Sequence, residues 1–62
     1  MKYKLIASAG TIEGIETMIN KYFYSSNYHV NGEKIENSKT GKTLENYRVI
    51  EKKNRFRFEL EA

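Results

Sequence analysis

Apolar and charged side chains alternate through residues 46–61, on both sides of Lys53-Asn54. Successive strand residues point to opposite faces, so Phe56, Phe58 and Leu60 fall on one surface and Arg55, Arg57 and Glu59 on the other. Parity then fixes the pairing. A two-residue loop at Lys53-Asn54 sets Val49 against Phe58 and Tyr47 against Leu60, and a four-residue loop sets Val49 against Phe56. Both keep the apolar residues together, whereas a three-residue loop puts Val49 opposite Arg57 and is rejected. The second face carries Arg48, Ile50, Lys52, Arg55, Arg57 and Glu59, with Glu59 across from Arg48.

Upstream, residues 2–8 predict a first strand with Tyr3, Leu5 and Ala7 on one face and Lys4, Ile6 and Ser8 on the other. Adjacent Leu5 and Ile6 imply cover on both faces, hence a central strand. Gly10 breaks it. Thr11 is placed to cap a helix, with Glu13 complementing the positive helix end. Ile12, Ile15, Met18, Ile19, Tyr22 and Phe23 recur at steps of three and four, which makes one apolar stripe. Glu13, Glu16, Thr17, Asn20, Lys21 and Tyr24 fall toward the polar side, where charged residues usually face water. Gly14 lacks a Cβ and permits close approach to the sheet. Ser25-Ser26-Asn27 ends the helix.

Asn31-Gly32 is a strong hairpin signal, because a type I′ turn requires positive φ at both central residues. That turn pairs Val30 with Glu33, His29 with Lys34 and Tyr28 with Ile35, and it puts Tyr28, Val30 and Ile35 on one face. Residues 37–43 follow as a polar loop with Gly41 as its turn residue. The order is β-α-β-β-β-β. It predicts a single α+β domain over residues 1–62, with one mostly antiparallel sheet and one helix across its oily face. If the strand after the helix runs parallel to the first in that sheet, the crossover is right-handed. Leu5, Ile15, Ile19, Val49 and Phe58 are the expected core.

Composition narrows the chemistry. Sixty-two residues bury a thin core, about 60% of the unfolded surface for a domain of this size. The chain has eleven Lys and Arg, eight Glu, one His and no Cys, Asp or Trp. Disulfides and zinc-thiolate sites are excluded, and most catalytic constellations lack their parts. No stretch reaches the roughly 18 apolar residues of a membrane span, and residues 2–9 are too interrupted for a signal peptide. Without disulfides the expected compartment is the cytoplasm.

Gly41-Lys42-Thr43 looks like the end of a phosphate-binding loop, but that motif needs glycine five residues before Gly41, where this chain has Glu36. It also needs a following helix, and a strand is expected here. His29, facing Lys34, has no carboxylate fixed beside it and no further metal ligands. The glutamates form no motif-placed pair, and so small a domain leaves little room for a pocket. No catalytic residue, metal site or cofactor is expected.

Two surfaces remain. Ile6 and Ile50 on the open sheet face would interrupt its polarity with an apolar spot, suited to a protein partner or a second copy in a homodimer. Arg48, Lys52, Arg55 and Arg57 would form a basic surface able to follow a nucleic-acid backbone. Phe56, Phe58, Tyr47 and Tyr28 are needed in the core, which leaves that face without an aromatic platform, and Glu59 neutralises part of it. The leading expectation is a non-enzymatic binding or adaptor domain acting through protein contacts. Nucleic-acid binding is the alternative.

Overall fold

The computed structural model describes residues 2–62, and its elements follow the order read from the sequence: β1 (Tyr3–Ala9), α1 (Ile12–Tyr22), β2 (Tyr28–Asn31), β3 (Lys34–Asn37), β4 (Tyr47–Lys52) and β5 (Arg55–Glu61). The strands make two antiparallel sheets, a three-stranded one ordered β1-β5-β4 and the β2-β3 hairpin. The single sheet expected from the sequence is therefore split. A backbone bond joins the parts: the Val49 N–H of β4 donates to the Glu33 carbonyl of the β2-β3 turn at 3.0 Å. Because β1 and β2 lie in different sheets, no parallel crossover arises.

The β4-β5 hairpin adopts the two-residue register. Val49 pairs with Phe58 and Tyr47 with Leu60, around Lys53 and Asn54 at φ 53° and 64°. Two successive positive φ angles are what a type I′ turn requires. The fully buried Phe58 and Ile15, Ile19, Ile35, with Val49 at 2% exposure, form the core.

β1 departs from its expected role. It is an edge strand, and β5 is central, because residues 46–61 supply the longest uninterrupted alternation and β5 pairs on both sides. A bulge separates the pairs Leu5–Glu59 and Ala7–Phe58, leaving Ile6 as the extra residue. Before the bulge Tyr3 and Leu5 share the face of Glu61 and Glu59; after it Ala7 and Ala9 share the face of Phe58 and Phe56. Leu5, expected in the core, is 42% exposed, while Ile6 packs on the core. A bulge and the edge residues Lys2 and Lys4 also blunt this strand against pairing with another chain.

The β2-β3 hairpin turns one residue later than the Asn-Gly signal suggests. Asn31 ends β2 and pairs with Lys34, so Gly32 and Glu33 form the turn, with positive φ (65°) at Gly32 alone. Positive φ only at the first central residue matches type II′. The shift sets Val30 against the buried Ile35 instead of Glu33, and apolar pairing outweighs the local turn preference. Parity survives, so Tyr28, Val30 and Ile35 still share a face.

Thr11 caps α1: its hydroxyl accepts the Gly14 N–H at 2.9 Å. At Gly14 a Cβ would meet the Ala9 Cβ at 3.2 Å, so the missing side chain lets helix and β1 close up. Two polar helix residues serve structure rather than solvent. The Asn20 amide accepts the Tyr28 N–H at 2.8 Å and donates to the Tyr28 carbonyl at 3.1 Å, and Glu16 Oε2 accepts the Val30 N–H at 2.7 Å. Spaced four apart on one helix face, these side chains stand in for a neighbouring strand along the edge of β2. The helix ends in paired bonds, Tyr24 N–H to the Lys21 carbonyl and Ser25 N–H to the Asn20 carbonyl, with Tyr24 at φ 53°. That is the Schellman arrangement, with a tyrosine where glycine is usual.

Candidate functional site

The face of the three-stranded sheet turned away from α1 is the most distinctive surface. Register assigns Tyr3, Leu5 and Ser8 of β1, Arg55, Arg57, Glu59 and Glu61 of β5, and Arg48, Ile50 and Lys52 of β4 to it. At its centre Glu59 is only 5% exposed, unusual for a carboxylate on a face that no described element covers. Its neighbours explain this. Arg48 bonds Glu59 Oε1 at 2.8 Å, Arg57 Nε bonds Oε2 at 2.9 Å, and the Arg48 guanidinium lies 3.5 Å over the Tyr3 ring. Both arginines bond the carboxylate through their guanidinium groups while their side chains stay about one-third exposed.

Burial works to raise the Glu59 carboxyl pKa, and the hydrogen bonds and charges of Arg57 and Arg48 outweigh it, so the group lies below its ordinary value. It is therefore a fixed anion at neutral pH. One carboxylate shared by two guanidiniums leaves that cluster with a single positive charge.

The four basic residues read from the sequence thus separate into two pairs. Arg48 and Arg57 are locked to Glu59. Lys52 and Arg55 stand opposite each other at the hairpin tip, and among the described residues neither forms an ion pair. Of the two isoleucines expected on this face, Ile50 is there, half-buried and paired with Arg57, whereas the bulge has turned Ile6 to the core and put Leu5 in its place. Tyr3 and Leu5 were the residues missed. Their signal was the Leu5-Ile6 adjacency, a break in alternation that fits a bulge as well as a doubly covered strand.

The other candidates stay apart. His29 is exposed and sits across from Glu36, not Lys34, because of the shifted turn; Glu36 Oε1 accepts from the Asn31 amide at 3.3 Å. Gly41 is a turn residue at φ 74°, and Lys42 and Thr43 line a shallow groove with Tyr28, Thr40 and Leu44 rather than opening a helix. Among the described residues no three His, Cys, Asp or Glu side chains gather as a metal site would need, and no helix is long and apolar enough to cross a membrane. Compared with known proteins, the chain matches no family model, no curated protein and no solved structure.

Proposed function

We propose that this chain is a non-enzymatic binding or adaptor domain of the cytoplasm that engages a protein partner through its outer sheet face. The observation that carries the reading is the surface itself: Leu5 at 42% exposure and half-buried Ile50 flank two arginines held rigid by a buried carboxylate. Apolar side chains beside preordered arginines are the material of interface hot spots, since little rotamer freedom remains to be lost on docking. The double substitution Leu5→Glu/Ile50→Glu tests it. A partner captured from native cell extract by the parent should be lost by the variant, with helix and sheet content unchanged by circular dichroism. Equal retention by both proteins overturns the reading.

Nucleic-acid binding is the second reading, favoured by Lys52, Arg55 and Arg57 lying on one face of one hairpin. Replacing Arg55 and Arg57 by Glu should then weaken oligonucleotide binding and reduce its dependence on salt, because fewer counterions are released. Absence of binding to single-stranded and duplex DNA and RNA at low salt removes it.

A further inference from the structure

Two local costs coincide at the tip of the β4-β5 hairpin. Lys52 stands directly across from Arg55, and like charges opposed across a ladder destabilise it. Lys53 holds the first turn position at φ 53°, where the left-handed region favours Asn, Asp or Gly. Among the described residues no ion pair offsets the repulsion: those formed join Arg48 and Arg57 to Glu59. Glu51, next in sequence to Lys52, pairs with Phe56 and so lies on the helix side of the sheet. Arg55 donates through Nε to Ser8 Oγ at 3.1 Å, which holds its guanidinium on the outer face without neutralising it.

We propose that this tip and the face behind it receive an extended acidic segment of the protein partner, with carboxylates on Lys52 and Arg55 and apolar side chains against Ile50 and Leu5. The inference rests on the protein-binding reading above and specifies its partner. Lys52 and Ile50 are two residues apart on one strand, about 6.8 Å, and an extended segment with a carboxylate and an apolar side chain at alternate positions shares that repeat. An anion between Lys52 and Arg55 converts their repulsion into two attractions.

A nucleic-acid strand fits this face less well. Tyr3 is the one aromatic among its paired residues, and the Arg48 guanidinium already covers that ring, so base stacking has no platform.

Fluorescence anisotropy at physiological salt tests the proposal, with a labelled short peptide that carries two Glu and then two Leu at alternate positions with Ser between them (the Glu-Leu peptide), so that all four share one face of the extended chain, its Lys-for-Glu counterpart (the Lys-Leu peptide), and single-stranded and duplex oligonucleotides. The Glu-Leu peptide should bind, the Lys-Leu peptide should not, and Lys52→Glu/Arg55→Glu should weaken binding at least about tenfold. Tighter binding of an oligonucleotide than of the Glu-Leu peptide overturns the proposal in favour of a phosphate backbone. No peptide binding by the folded protein also overturns it, as does a dimer in sedimentation that Ile50→Glu dissociates. A native partner lost by Leu5→Glu/Ile50→Glu but kept by Lys52→Glu/Arg55→Glu sinks the acidic segment while leaving the protein-binding reading in place.

Discussion

Tyr24 is 97% exposed and holds φ 53° at the helix C-terminus, so its side chain contributes no packing while its backbone carries strain. A non-glycine residue in this region costs roughly 1–2 kcal/mol, offset in a glycine variant by the greater freedom of the unfolded chain. Tyr24→Gly should therefore stabilise the domain by about 0.5–1 kcal/mol and raise the thermal midpoint by a few degrees. A lower midpoint would show that the Tyr24 ring supports the fold. Glu59 presents the opposite case, a charge the fold needs. Glu59→Gln leaves Arg48 and Arg57 without their anion and should cost about 1–2 kcal/mol at neutral pH, a figure kept modest because both arginines are one-third exposed. The folded-state pKa of Glu59 is depressed. Its contribution is thus fully present above the unfolded carboxylate value and disappears as pH falls through the folded one. Chemical denaturation of parent and variant along an acid series should show the gap closing in that direction.

At the scale of elements, β2 owes its position to side chains of α1. Asn20 satisfies both backbone groups of Tyr28, and Glu16 takes the Val30 N–H. Asn20→Ala leaves a part-buried N–H and carbonyl unpaired and should cost about 1–3 kcal/mol. Hydrogen exchange should speed up first at Tyr28, ahead of the amides of β5; uniform acceleration along the chain would contradict this local role. Helical periodicity could not reveal it, because Glu16 and Asn20 occupy positions where polar residues ordinarily face water. The β4-β5 register was legible because parity left only one pairing class that kept Val49 and Phe58 together. The β2-β3 turn was legible as a hairpin but not in position, since Asn31-Gly32 and Gly32-Glu33 give the same faces and only the pairing of Val30 with buried Ile35 separates them. β1 misled for a specific reason: one unpaired residue at Ile6 moves every earlier side chain to the other face. That single displacement also decided the candidate site, replacing Ile6 by Leu5 and adding Tyr3 beneath Arg48.

For the molecule as a whole, the α+β layout and helix-on-sheet packing follow from amphipathic elements that must bury one face each, while the split into two sheets depends on long-range contacts that no local pattern encodes. Phe58 is where the layers meet. It lies fully buried on the central strand, stacks on Tyr47 at 5.3 Å and meets Tyr22 and Phe23 edge-on at 5.6 and 6.2 Å. Phe58→Ala empties a site bounded by both helix and sheet, and neither can collapse into it without losing its own pairing. The cost should be about 3–5 kcal/mol, against a total stability near 5 kcal/mol at the lower end for small domains. The variant should therefore be largely unfolded well below the parent's melting temperature, losing helix and strand signals together because one core serves both. If helix content persisted after the sheet melted, α1 would be stable apart from Phe58, and the single cooperative core described for this chain would be wrong.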